Sequence, residues 1–261
     1  MSESTALSAR STAAAAISPA RVGAFGYGMT AYFVGVSGLV ALILLTLYIV
    51  PFTGGPIQIE GTGAKIAFNL GLIAVFGIQH AIMAREGFKK KWTTVISPAV
   101  ERATFTGIAG VLMLLIVWLS RPLPEVLWAV QNETVRAGLL GLCAFGWVYL
   151  LAATFAIDHF ELFGVKQVWR NLTGKATPAP GFKERFMYRF DRHPIMTGVL
   201  LGLWSAPTMT LDRLVLCLGF TSYIVLGVTI EERDLRRRLG ATYAEYAGRV
   251  RTVVPTLRAG K

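Results

Sequence analysis

The chain contains three histidines, and each stands beside an apolar run. His80 lies in "GIQHAIMARE" (77–86). His159 lies in "FAIDHFELFG" (155–164), flanked by Asp158 and Glu161. His193 opens "DRHPIMTGVLLG" (191–202) behind Asp191 and Arg192 and ahead of Pro194. A fourth stretch, "TIEERDLRRRLG" (229–240), closes an apolar run with the acidic pair Glu231 and Glu232. An imidazole exchanges protons near neutral pH. Carboxylates at a membrane edge can balance a cation or orient a histidine, and ionisable groups facing inward from such segments are functional candidates. Pro194 marks the first turn of a helix, whose open N–H groups suit an anion. A metal site is not indicated, because no His-x-x-x-His spacing occurs and the three histidines come from three different apolar runs. Cys143 and Cys217 fall inside apolar segments and read as small buried hydrophobes. Glu232 with Arg236, and Asp234 with Arg238, have the i,i+4 spacing of helix-stabilising ion pairs, so part of this charge serves the helix itself.

The elements that must position these residues are membrane spans. Of 261 residues, 54% are hydrophobic and 16% charged, where a soluble domain has about 25% charged. Six runs approach the length that crosses a bilayer: 30–50, 64–84, 103–119, 135–157, 194–211 and 214–230. Only Asp212 and Arg213 separate the last two, which predicts a tight helical hairpin. The expectation is an all-α integral membrane protein of about six transmembrane helices, with a helical C-terminal tail. Residues 1–27, rich in Ala and Ser at the start, are expected to be a flexible tail. Residues 28–261 are expected to form a single domain.

The net charge of +11 does not point to nucleic acid, because its distribution follows the spans. Both termini and the even-numbered loops hold 22 of the 26 Lys and Arg residues, while the opposite side holds Lys65, Arg121, Arg136 and Arg213. The positive-inside rule then puts both termini in the cytoplasm, with the basic loops against anionic lipid. On this map His80, Asp158, His159, His193, Glu231 and Glu232 share one membrane level, on the cytoplasmic side.

The C-terminal third resembles the isoprenylcysteine carboxyl methyltransferase superfamily of integral membrane enzymes. The match rests on "RHPIMTG" (192–198) and "EERDLRRRLGATYAEYAGRVRTVVP" (231–255), in the order and spacing of that family. Many members carry Tyr where this chain has Met196, which argues against isoprenylcysteine itself as substrate. Further upstream, "FGIQHAIMAREGFKKKWTTVISPAVERATF" (76–105), "DHFELFGVKQVW" (158–169) and "LWSAPTMT" (203–210) are similar to the bacterial methanethiol S-methyltransferase family. A nitrite and nitric oxide reduction accessory family shares the Gln-His helix end. It would imply a non-enzymatic heme- or metal-linked membrane protein, and it leaves the Glu-Glu to Tyr cassette unexplained.

The resemblance implies S-adenosylmethionine as cofactor, bound on the cytoplasmic side by a cassette spanning about 189–257. Its carboxylate would meet the helix start at Arg192, His193 and Pro194, with Met196 and Gly198 on the same helix. Glu231 or Glu232 would balance its ammonium or hold its ribose, and Arg237 would pin one of those glutamates. Tyr243 and Tyr246 would cover the adenine. The acceptor would be a small volatile thiol, methanethiol giving dimethyl sulfide. His80 or His159 would be the base and Asp158 its orienting group. A lipid, an isoprenoid thioether or another small thiol remains an alternative acceptor. A tiny thiol predicts a narrow pocket walled by residues such as Phe76, Trp147 and Trp204, and a lipid predicts a wide lateral opening. The implied location is the bacterial inner membrane, and the sequence sets no oligomeric state.

Overall fold

The computed structural model describes residues 17–176, 178 and 186–253. In chain order its helices are α1 (Pro19–Thr46), α2 (Thr62–Met83), α3 (Glu86–Trp92), α4 (Pro98–Leu119), α5 (Glu133–Ile157), α6 (His159–Leu162), α7 (Val165–Thr173), α8 (Pro194–Trp204), α9 (Leu211–Leu239) and α10 (Ala241–Arg249). A 3-10 turn, Phe186–Arg189, precedes α8. Two short strands, β1 (Val126–Ala129) and β2 (Thr208–Thr210), pair antiparallel with Trp128 opposite Met209.

Among the described residues five helices are long and apolar enough to cross a membrane: α1, α2, α4, α5 and α9. The chain is therefore an all-α integral membrane protein with several spans. The fifth expected span, 194–211, takes a different form. Helix α8 has 11 residues and reaches about 16 Å, half of a hydrocarbon core about 30 Å thick. Extended chain continues from Ser205 into β2. The expected break at Asp212 and Arg213 is not a break, because both residues lie inside the first turn of α9 and are buried. Asp212 accepts from the Leu123 amide at 2.8 Å. Arg213 stacks 3.4 Å from the Tyr48 ring centroid and donates to the carbonyls of Leu45 and Thr46 at the end of α1. The last two apolar segments also pack mainly on other partners: α8 lies along α5 and α9 along α2.

The helix borders follow local signals. Ser18 caps α1 and Pro19 takes its first turn, so the helix begins well inside the stretch expected to be a tail to residue 27. Residues 1–16 lie outside the described residues. Ser97 and Pro98 repeat this start at α4, and Asn132 caps α5.

Helices α1 and α4 form the most extensive seam. At its centre backbone meets backbone: a Cβ on Gly110 would lie 2.4 Å from the Val34 carbonyl oxygen and 2.5 Å from the Gly35 Cα. Small residues are what permit such close approach between membrane helices. Gly110→Leu is expected to cost at least the about 3 kcal/mol upper end of overpacking, because no flexible side chain can move aside. A thermal unfolding midpoint in detergent unchanged from the wild type would contradict this.

The spans alternate in direction. The C-terminal ends of α2, α5 and α9 meet the N-terminal ends of α1, α4 and α8: Tyr27 of α1 bonds to Thr104 of α4, His159 just past α5 bonds to Tyr32 of α1, and His193 ahead of α8 bonds to Glu232 of α9. The β1–β2 ribbon closes the opposite end.

Candidate active site

Where these ends meet, a cavity of about 490 Å³ opens between α2, α4, α5, α8 and α9. Its floor is apolar, with Leu42, Phe76, Met113, Trp147 and Phe220. Its rim is charged, with Arg85, Arg192, His193, Glu231, Asp234 and Arg238 beside Tyr188. Two ion pairs fasten α9 to the α2–α3 corner: Arg85 with Asp234, and Arg238 with Glu86 at 2.6 Å. The expected pairing of Asp234 with Arg238 is thus replaced by bonds between helices, whereas Glu232 does meet Arg236, at 3.6 Å.

His80 faces this cavity from the last turn of α2. Its ring stacks on Phe76 with centroids 5.3 Å apart, packs against Phe105 at 4.6 Å and meets the Tyr223 ring edge-on at 6.0 Å. Its Nδ1 is buried without a hydrogen-bond partner among the described residues. A buried polar atom left unpaired costs about 1–3 kcal/mol, so this one suits a proton or a ligand. His159 lies elsewhere. It is stacked between Phe155 and Phe163, and both ring nitrogens meet hydroxyls, Thr154 at 2.9 Å and Tyr32 at 3.1 Å. Burial lowers its pKa, with a smaller opposing pull from Asp158. Asp158 caps α6 through the Glu161 amide and pairs with Lys166. Neither lines the cavity, so the geometry does not bring Asp158 to His80.

The start of α8 is a knot of buried charge. Arg192 donates from Nε to Glu232 at 2.7 Å, from Nη1 to the carbonyls of Ala247 and Val250 at 2.8 and 2.5 Å, and from Nη2 to Thr252. Its amide donates to the Arg251 carbonyl at 2.9 Å. One side chain thereby joins α8, α9, α10 and the segment after it. His193 places Nε2 3.2 Å from Glu232 and Nδ1 3.7 Å from Glu231. Glu232 is engaged by Arg192, His193 and Arg236, whereas the Glu231 side chain stays half-exposed at the rim.

The other expected cassette residues fall into two sets. Met196 lines the cavity. Pro194 is buried in the first turn of α8, and Gly198 is a packing residue, since a Cβ there would stand 2.6 Å from the Gly146 carbonyl oxygen of α5. Arg237 is exposed and pins neither glutamate; Arg192 and Arg236 do so for Glu232. Tyr243 and Tyr246 pack on each other and on Val250 rather than over the cavity. Tyr246 donates to the Tyr188 carbonyl at 2.6 Å and so fixes a rim residue from behind. The closing Pro255 lies outside the described residues.

Sequence reasoning missed four residues. Asp191 is fully buried and accepts from the His193 amide at 3.0 Å and from Tyr149 at 3.3 Å. Burial pushes its carboxyl above the ordinary range, opposed by these hydrogen bonds and one from Thr197. Its position next to Arg-His-Pro was the available signal. Tyr188, Tyr223 and Arg102 also line the cavity, and Arg102 looked like one more basic loop residue. Of the three bulky residues expected around a tiny acceptor, Phe76 and Trp147 line the floor. Trp204 lies outside and bonds to Thr221 at 2.9 Å.

Comparison with known proteins adds to this geometry. Residues 68–259 match the family model described as NnrU protein. The chain is 39% identical over 236 residues to methanethiol S-methyltransferase 1 of Bradyrhizobium diazoefficiens, covering 90% of this chain and 83% of that one. It is 41% identical over 193 residues to methanethiol S-methyltransferase of Mycobacterium tuberculosis, covering 74% and 79%. It is also 29% identical over 204 residues to nurim of Rattus norvegicus, covering 72% and 78%. No solved structure matches.

Proposed function

Because this chain belongs to the methanethiol S-methyltransferase family, we propose that it transfers a methyl group from S-adenosylmethionine to methanethiol, giving dimethyl sulfide. The observation that carries this reading is the cavity: a charged rim over an apolar floor, with the unpartnered Nδ1 of His80 beside it.

The residues present fit the cofactor. The cavity volume lies within the about 300–1,000 Å³ typical of small-molecule pockets. S-adenosylmethionine supplies an activated methyl on a sulfonium. Glu231, a rim carboxylate paired with no arginine among the described residues, would balance its ammonium. The α8 start with His193 would take its carboxylate through open N–H groups and partial positive charge. Glu232 and Arg192 would hold the framework rather than the ligand. Phe76, Met113, Trp147 and Phe220 would exclude water at the floor, where a neutral apolar thiol partitions favourably. Charge annihilation between a thiolate and a sulfonium is favoured in such poorly solvated surroundings. His80 would take the thiol proton, since the thiolate is the nucleophile. Productive transfer needs the acceptor sulfur held in line behind the methyl, a task that would fall to the side chains walling the floor.

Membranes containing the protein, supplied with S-adenosylmethionine and methanethiol, are expected to release dimethyl sulfide into the headspace, against none from membranes lacking it. Absence of that product would overturn the reading. Glu231→Gln is expected to raise the KM for S-adenosylmethionine about 10- to 100-fold, the size of a charged hydrogen bond, with little change for methanethiol. Equal KM values for the cofactor would remove Glu231 from its site.

The accessory-protein reading needs His80 and a second histidine to converge. His193 sits on Glu232 and His159 between two hydroxyls. No group of three or more His, Cys, Asp or Glu placed to hold a metal ion occurs among the described residues. We further infer six crossings, the fifth made by α8 and the extended chain after it. Both termini would face the cytoplasm of a bacterial inner membrane, a reading supported by the Lys and Arg asymmetry.

A further inference from the structure

Four arginines line the cavity, and among the described residues three of them hold a carboxylate: Arg85 holds Asp234, Arg192 holds Glu232 and Arg238 holds Glu86. Arg102, in the first turns of α4, holds none. Its Nε donates to the Leu162 carbonyl at 2.7 Å. Its guanidinium carbon lies 4.8 Å from the Phe105 ring centroid, and Phe105 packs on His80. The two terminal nitrogens, with four N–H donors, have no partner among the described residues. Glu161, a nearby acid, is taken by Arg170 at 2.6 Å. A fixed cation with open donors therefore stands beside His80 at the edge of an apolar cavity.

We propose that Arg102 holds the acceptor sulfur as its thiolate, an inference that rests on the methyl-transfer reading above. An anion in an apolar pocket is unstable without a partner. A thiol is only slightly ionised at neutral pH, since even a free cysteine has a pKa of about 8.5. The guanidinium supplies the counter-charge. The S–H bond breaks and its proton passes to His80. The sulfur pair then forms the new S–CH3 bond while the bond from the methyl to the donor sulfonium breaks, leaving its pair on the donor sulfur. An anion and a cation become two neutral sulfides, so the hold of Arg102 is released with the product. The charged and titratable groups around Arg102 are His80 of α2, Lys89 of α3, Glu101 of α4 and Glu161 of α6. Tyr223 of α9, His193 just ahead of α8, Tyr188 and the rim charges Arg85, Arg192, Glu231, Asp234 and Arg238 face the same cavity.

The test is a pH profile with an anion probe. Arg102→Gln is expected to lower kcat/KM for methanethiol about 10²- to 10³-fold at neutral pH, the size of removing one electrostatic donor. The deficit should shrink as rising pH supplies thiolate from solution, and Arg102→Lys should recover part of it. In the wild-type protein thiocyanate, a soft permanent anion, should compete with methanethiol, and its C≡N infrared band should shift on binding. Loss of that band shift in Arg102→Gln is also expected. An unchanged pH profile in Arg102→Gln, or thiocyanate failing to compete in the wild type, overturns the assignment; the second readout needs no variant to fold. A wild type that forms no dimethyl sulfide would instead sink the methyl-transfer reading itself.

Discussion

Arg192→Met is expected to lower the stability of the protein by about 3–5 kcal/mol, the cost of breaking a buried ion pair by removing one partner. The Arg192 side chain is 2% exposed and that of Glu232 10%, so solvent cannot take over. Glu232 would keep its charge but lose its strongest partner, with His193 and Arg236 left beside it. The carbonyls of Ala247 and Val250 would lose their donors together. Arg192→Lys should rescue little, because an ammonium is a point charge and cannot copy a planar fork with bonds in four directions. The double variant Arg192→Met, Glu232→Met should recover much of the loss, since an apolar pair can replace a buried ionic one. Thermal unfolding in detergent, followed by tryptophan fluorescence, reads all three. A single variant as stable as the wild type would show that the knot at the head of α8 does not hold α9, α10 and the following segment together.

His80→Ala is expected to lower kcat/KM for methanethiol about 10²- to 10⁴-fold, the range of a positioned general base, with S-adenosylmethionine affinity by calorimetry unchanged. The remaining activity should climb about tenfold per pH unit below the thiol's pKa, because thiolate must then arrive preformed. His159→Phe is the control: its ring, bonded to Thr154 and Tyr32, does not itself line the cavity, so it should alter stability and leave the pH profile alone. A His80→Ala protein with wild-type turnover would remove the imidazole from the chemistry and leave the acceptor's ionisation to Arg102.

Length and hydropathy made the spans legible, and the clustering of His80, His193 and Glu231 at one level pointed to the end of the bundle where all three line one cavity. Periodicity is blind to what came out differently. A short helix continued by extended chain reads as a span, because apolar composition does not record where hydrogen bonds change from helix to ribbon. Asp212 and Arg213 read as a loop because two charges interrupt an apolar run. They are buried because their partners, Leu123 and the end of α1, lie far away in sequence. Spacing likewise could not tell Glu231 from Glu232. They are adjacent on a helix and face different neighbours, so one joins the framework and the other reaches the rim. Arg102 was hidden among the cations that mark topology, and what distinguishes it is that no carboxylate pairs with its guanidinium among the described residues, although Glu101 and Glu161 lie nearby.

The shape of the cavity has a consequence for traffic. On the proposed reading, a large polar solute seated at the charged rim would shut the apolar floor behind it. The smaller partner would then have to be dissolved at the floor beforehand or arrive through the hydrocarbon between helices, and the methylated product, apolar and uncharged, would depart by the same oily route. The order of arrival would then be a matter of plumbing rather than of affinity, with the bilayer as the reservoir from which one reactant is drawn and into which one product drains.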